Sequence, residues 1–297
     1  MGKSGLLWIG ICALLLLQMA NVGVLGWGNE GHYTVCKIAE GYLSEEASAA
    51  VKELLPDSAE GYLANVCTWP DDIRRDPAYR WSASLHFVNT PDFECNYDYC
   101  RDCHDSFGHK DVCAPAAIYN YTNQLKSFYQ EPKYNLTEAL MFLSHIIGDV
   151  HQPMHCGFIG DLGGNRIALT WYNETTNLHR VWDDKIIESA VKTFYGSDLT
   201  VMIQSIQKNI ANVWANDISS WERCKYNETV CPNKYASESI SGACKYAYRN
   251  ATSGSTLGDD YFLSRLPVVE ERLAQAGIRL AATLNRIFAS PVKIAEA

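Results

Sequence analysis

His145-Ile146-Ile147-Gly148-Asp149-Val150-His151-Gln152-Pro153-Met154-His155 decides how this chain reads. The apolar run Ala139-Leu140-Met141-Phe142-Leu143 leads into it and reads as a buried helix. On a helix, residues four apart share a face, so His145 and Asp149 point the same way. Pro153 ends the helix, because it lacks an N–H and clashes with the preceding turn. His155 is therefore carried beyond the helix end. The same i,i+4 spacing returns in His179-Arg180-Val181-Trp182-Asp183. Imidazole nitrogen and carboxylate oxygen both ligate zinc well. Two such pairs, with a His beside a helix break, read as parts of a multi-zinc centre.

Upstream, residues 1–26 carry one charge, Lys3, and an apolar stretch through Leu14-Leu15-Leu16-Leu17. Val24 and Gly26 stand where a signal peptidase favours small residues. This predicts a secretory signal peptide cleaved after Gly26. Its apolar core is short for a span of about 20 residues, and no later stretch reads as a membrane span. The remaining chain has no linker or repeat and reads as one domain, 27–290, with a tail, 291–297, that processing could remove. The formal charge is −9, and loss of Lys3 makes the mature value −10. That balance argues against holding nucleic acid by Lys and Arg alone. Bound divalent cations would change the local sign.

Eleven Cys are present, and Cys12 leaves with the leader. An even set in an exported chain predicts disulfides. Sequons at Asn120, Asn135, Asn173, Asn227 and Asn250 fit export and predict some glycosylation. Helices are expected over 27–43, 45–55, 114–129, 136–150, 183–192, 199–215, 234–248 and 259–288. The last is expected to bend at Pro267 or Gly277. Residues 68–74 read as a loop or short turn. Segments 84–88 and 165–172 read as short strands, and Cys95 to Cys113 as an irregular, stapled segment. The class is mainly α with a small β-ribbon. Trp27 reads as either a buried aromatic or a metal ligand. The α-amino group that cleavage frees has a pKa near 8, so it becomes a neutral nitrogen donor at modest cost.

Six separated pieces occur in order: Trp27-Gly28-x-x-Gly31-His32, Trp69-Pro70-Asp71, Leu85-His86-Phe87, His145-x-x-x-Asp149 with Gln152-Pro153-x-His155, Gly163-Gly164-Asn165, and Asn177-Leu178-His179-x-Val181-Trp182-Asp183. Together they resemble the zinc-dependent single-strand nucleases of fungi and their plant relatives, the bifunctional (class I) nucleases. The likeness runs from Trp27 to about Ala289. It implies a single helical domain with three zinc ions in a cleft. One zinc would take Asp71, His86, His145 and Asp149. Its neighbour would take the Trp27 amino nitrogen and carbonyl, His32, and Asp149 as a bridge. The third would take His155, His179 and Asp183. Asp71, Asp149 and Arg74 would carry the catalytic work: the carboxylates hold the ions, and Arg74 contacts phosphate.

The likeness further implies that Phe87 stacks on a base and that Asn89 and Asn165 contact substrate. The family commonly has Asp where Asn89 stands, and an amide both donates and accepts, so base preference is not carried over. It implies Cys36–Cys67, Cys95–Cys244, Cys103–Cys113 and Cys224–Cys231, leaving Cys100 and Cys156 to pair, stay free, or, for Cys156, touch zinc. His104, His109 and His151 match no ligand and read as structural or solvent-facing. The expected activity is hydrolysis of RNA and single-stranded DNA to 5′-phosphates, with removal of 3′-phosphates in some members. Secretion or the vacuole, a monomer, and no membrane contact complete the reading. Two alternatives stay open: a zinc phospholipase C-like phosphodiesterase, and a non-catalytic secreted glycoprotein stabilised by zinc.

Overall fold

Caps, glycines and prolines set most helix ends in the computed structural model, which describes residues 27–130, 133–225 and 228–289. Helix α1 (Asn29–Glu40) runs from Gly28 to Gly41. Ser44 caps α2 (Glu45–Leu54) by accepting from the Ala47 N–H. Short helices α3 (Trp69–Ile73) and α4 (Tyr99–Asp102) precede α5 (Ala114–Leu125). Helix α6 (Leu136–His151) is capped by Asn135, whose side chain accepts from the Glu138 N–H. Helix α7 (Leu178–Arg180) widens into a π turn, Val181–Lys185, and continues as α8 (Ile186–Phe194). Then come α9 (Leu199–Asn212), α10 (Ile218–Glu222), α11 (Pro232–Gly242) and α12 (Asp259–Phe288). Strand β1 (Ala168–Trp171) lies between antiparallel β2 (Glu174–Asn177) and parallel β3 (Thr256–Leu257). The described residues are mainly α with one small sheet.

Helix α6 is the axis of the core. Leu140, Leu143, Ile146, Ile147 and Val150 are fully buried, and Phe142 nearly so. Each such side chain contributes roughly 1.5–3 kcal/mol on burial. The helix is apolar all round because α5, α12, α1 and α11 surround it. Its polar residues, Ser144, His145, Asp149 and His151, are therefore buried as well. Charged groups at such positions need partners, and those partners assemble the site.

Several expectations change. Residues 84–88 are not a strand. Asp76 accepts from the Ala78 N–H and starts a 3₁₀ helix, Pro77–Leu85, that ends at His86. Only the next residues extend: Val88 donates to the His155 carbonyl and Thr90 to that of Gly157. A β-rich composition there reflects burial against 155–159 and not a sheet. Residues 68–74 contain α3, with Pro70 in its first turn, where the missing N–H costs nothing. Helix α12 has the expected bounds, 259–288, with Pro267 inside it. A Cβ on Gly277 would lie 2.5 Å from Ile38 Cγ2, so this glycine permits close packing of α1 on α12.

The sulfurs of Cys36–Cys67, Cys95–Cys244, Cys103–Cys113 and Cys224–Cys231 are joined as disulfides. Cys100 is exposed and unpaired, and Cys156 is buried with its thiol toward the Val150 carbonyl. Asn120, Asn135, Asn173 and Asn250 are exposed. The expected leader 1–26, the tail 291–297 and the sequon residue Asn227 lie outside the described residues. No helix among the described residues is long and apolar enough to cross a membrane.

Candidate metal centre

Helix α6 presents His145 and Asp149 on one face, as their spacing requires, and four other segments converge there. The two Asp149 oxygens look in different directions. Oδ2 lies 3.0 Å from His86 Nδ1 and 3.2 Å from His145 Nε2; Oδ1 lies 3.2 Å from His32 Nε2 and 3.6 Å from His155 Nδ1. Asp71 Oδ1, from α3, approaches His86 Nδ1 at 3.5 Å and His145 Nε2 at 3.7 Å. Across the Pro153 break, His155 and His179 bring their Nε2 atoms to 3.2 Å, and Asp183 lies 3.2 Å from His179 and 3.8 Å from His155. The ligand atoms form three buried groups: His32, His145 and Asp149; Asp71, His86 and His145; His155, His179 and Asp183. The π turn carries Asp183, and such turns are frequent at functional sites.

Backbone carbonyls orient the rings. His145, His155 and His179 donate from Nδ1 to the carbonyls of Cys67 (2.8 Å), His86 (2.6 Å) and Gly163 (2.6 Å). Each Nε2 is thereby left as the inward, ligating nitrogen, the usual arrangement at metal sites. Cys67 is fixed to α1 by its disulfide to Cys36. Gly163 sits in a left-handed turn, where a Cβ would strike the Met154 carbonyl at 2.3 Å.

The electrostatics are those of anionic ligands packed among imidazoles. Burial would raise the Asp149 carboxyl, but His145 and His155 hold it well below the usual carboxylate range. Burial likewise opposes ionisation of Asp71, and His145 and His86 outweigh it. Burial, with His145 close by, lowers His32 to about 4, while burial lowers His86. At His145, Asp149 and Asp71 overcome desolvation and raise the ring to about 8. Asp183 is pushed well above its ordinary value by burial and by Asp184. These opposed shifts mark a cluster built for added positive charge. So do inward-facing buried atoms that lack a hydrogen bond: His32 Nε2, Asp71 Oδ1 and Asp149 Oδ1. Polar atoms of this kind are costly without partners. The residues fit metal ions.

Trp27 is fully buried, and its ring lies against Gly148. The Gly28 N–H donates to the Asp183 carbonyl, which ties the Trp27 backbone to the third group. Gly148 has its own role. A Cβ there would sit 2.9 Å from His32 Nδ1 and 3.1 Å from its Cε1. Gly148→Ala is expected to displace His32, remove about one metal ion per chain and cut activity tenfold or more, with the helical circular dichroism unchanged. Unchanged metal content would show that His32 is not a ligand.

Arg74 is nearly buried against the first group, with a guanidinium nitrogen 3.2 Å from Asp71 Oδ1. Phe87 and Asn89 are half-buried beside His86. Asn165 is also half-buried, and its amide donates to the Leu162 carbonyl, so part of it is committed to the turn. His104 and His109 are exposed in the Cys-rich segment.

Reading the sequence by ligand type passed over the groups that hold the frame. Gln152 is fully buried; its amide donates to Asp183 Oδ1 at 2.5 Å and its carbonyl accepts from the Met154 N–H. The Gln-Pro-x-His piece contained it without giving it a task. The last carbonyls of α6 are also occupied. Ser239 donates to Val150, His151 Nδ1 to Ile147, and Arg272 to His151. Arg279 donates to His151 Nε2 and, with Arg272, pairs with Glu238. Burial and the two guanidinium groups hold His151 neutral. A buried cation at a helix C-terminus satisfies its carbonyls and suits its dipole.

A helical frame enclosing three contiguous, buried His/Asp groups, each able to hold a metal ion, defines the class of protein. Comparison with known proteins narrows the class. The profile of the S1/P1 nuclease family matches residues 27–289. Endonuclease 4 of Arabidopsis thaliana is 63% identical over 284 residues, covering 94% of this chain and 95% of that one. Endonuclease 3 of the same plant is 60% identical over the whole of both chains. Nuclease S1 of Aspergillus oryzae is 34% identical, covering 96% and 99%. The chain belongs to the S1/P1 nuclease family and is a nuclease, a hydrolase acting on nucleic acid.

Proposed function

We propose that this chain is a zinc-dependent endonuclease that hydrolyses RNA and single-stranded DNA to 5′-phosphate products, and that 3′-phosphomonoesters enter the same site. The observation that carries the reading is the array of buried His and Asp ligand atoms around Asp149, several of them without a hydrogen bond. Three zinc ions are assigned: one to Asp71, His86, His145 and Asp149; one to His32, Asp149 and the Trp27 amino nitrogen and carbonyl; one to His155, His179 and Asp183. When bound, such ions bring the pKa of a shared water toward neutrality and offset charge on phosphate oxygens.

The chain supplies the rest. Asp149 holds one end of each of two ion positions. Arg74 offers its remaining N–H groups to a phosphate. Phe87 offers a ring face for a base, a contact worth about 1–3 kcal/mol and tolerant of sequence. A stacked base cannot reach that ring from within a duplex, so single strands are preferred. The membership of the family and the names of its relatives favour this reading over a phospholipase C or an inactive glycoprotein. Four disulfides fit an oxidising compartment, in keeping with leader removal before Trp27, a domain over 27–290, delivery outside the cell or to the vacuole, and action as a monomer.

Phe87→Ala is expected to raise the KM for single-stranded DNA several-fold while leaving zinc content at three per chain, and duplex DNA should be cut far more slowly than single strands. Release of acid-soluble nucleotides, with and without chelator, together with metal analysis, checks both. Equal rates on duplex and single strands, or one zinc per chain, would contradict the assignment.

A further inference from the structure

Trp81 lies outside the metal centre, yet it is the outermost ring of an aromatic group that reaches it. Its side chain is 56% exposed. Its ring stacks on Tyr79 at 6.3 Å and tilts onto Phe142 at 5.8 Å. Trp69 meets Tyr79 and Phe142 edge-on, at 5.7 and 5.4 Å. Trp69 stands two residues before Asp71, and Phe142 stands one helical turn before His145. The 3₁₀ helix that carries Trp81 runs directly into His86. At a rise of about 2.0 Å per residue, the Trp81 Cα is roughly 10 Å from that of His86.

Two exposed cations lie close to Trp81 in the sequence. Arg80 is its exposed neighbour. Arg75 is 74% exposed and loosely paired with Asp72 at 3.6 Å. The Asp76 carboxylate is turned to the Ala78 N–H as a cap. With Arg74, which pairs with Asp71, three arginines fall within residues 74–80 of a chain whose formal charge is −9. An exposed indole with exposed guanidinium groups in the same short segment suits single-stranded nucleic acid: the ring stacks on any base, and the cations follow the backbone.

We propose that Trp81, with Arg75 and Arg80, forms a second base platform, engaging the strand about three nucleotides from the metal centre, taking roughly 3.4 Å per stacked nucleotide. This rests on the nuclease reading and extends it. A dinucleotide held at the metals does not reach Trp81; a longer strand does. The platform makes the enzyme favour extended strands over short products and leaves the chemical step unchanged.

The test compares the zinc-loaded enzyme and its variants on a thymidine dinucleotide and on a thymidine strand of about twelve residues. Trp81→Ala should raise the KM for the long strand about five- to tenfold, with the dinucleotide kinetics and the zinc content unchanged. Trp81→Phe should restore most of the difference. Arg75→Gln with Arg80→Gln should flatten the salt dependence of long-strand KM by up to about 1.4 log units per log unit of salt. An identical change for both lengths overturns the proposal, as does a rise in both KM values with loss of zinc, which would mark Trp81 as a packing residue against Phe142. Failure of the unsubstituted enzyme to cut either length would remove the nuclease reading, and this one with it.

Discussion

Asp149→Asn is expected to lower activity on single-stranded DNA roughly a thousandfold or more, given that even outer partners of metal ligands are worth about 10–100-fold. The substitution preserves shape and removes charge. It also leaves one oxygen where two faced separate sets of imidazoles: His86 and His145 on one side, His32 and His155 on the other. An amide nitrogen has no lone pair for a metal, so whichever way the Asn turns, one ion position loses its shared ligand. Two ions per chain should be lost or weakened together, while His155, His179 and Asp183 keep theirs. The frame should survive, because the disulfides and the apolar faces of α6 are untouched. Metal analysis and thermal unfolding of the metal-free proteins separate these effects. Near-normal activity with three ions bound would reject the bridging role.

Extension of the mature chain by Met ahead of Trp27 is expected to cost about one zinc per chain and a hundredfold or more in activity. The extra residue moves the free amino group by about 3.8 Å and puts an amide nitrogen where the amine stood. That nitrogen has no lone pair to give. His32 and Asp149 remain, but a structural or catalytic zinc ordinarily holds three or four protein ligands. The Trp27 backbone cannot shift to compensate. Its ring is fully buried, and the next residue is bonded to the Asp183 carbonyl. Leader removal would then be a step in building the site as well as in transport. The comparison is between chains beginning at Trp27 and at the added Met, both refolded with disulfides formed. Full zinc and full activity in the extended chain would show that Trp27 serves only as a packed aromatic.

The parts of the site that lie close in sequence were the legible ones. His145 with Asp149, and His179 with Asp183, follow from a helical period that forces both side chains to one face. His155 follows from Pro153, which ends the helix and turns the chain. Asp71, His86 and His32 carry no such local signal. They were reached through resemblance, because a single Asp or His on a short element has no period to betray its direction. The strand expected over 84–88 failed for a related reason. Apolar composition reports burial, and a 3₁₀ helix entering an extended pair buries the same residues that a strand would.

By itself, the sequence determined that a buried helix would carry His145 and Asp149, that Pro153 would end it, and that the chain would be mainly helical. Those outcomes depend on backbone sterics and periodicity, which act over a few residues. Tertiary structure alone decided that the Asp149 oxygens face two different sets of imidazoles. It also decided that Gln152 would hold Asp183, and that Ser239 and Arg272 would occupy the last carbonyls of α6. Those partners lie about 30 to 120 residues apart in the chain. Only collapse of the core, with its demand that every buried polar group find a partner, brings them together.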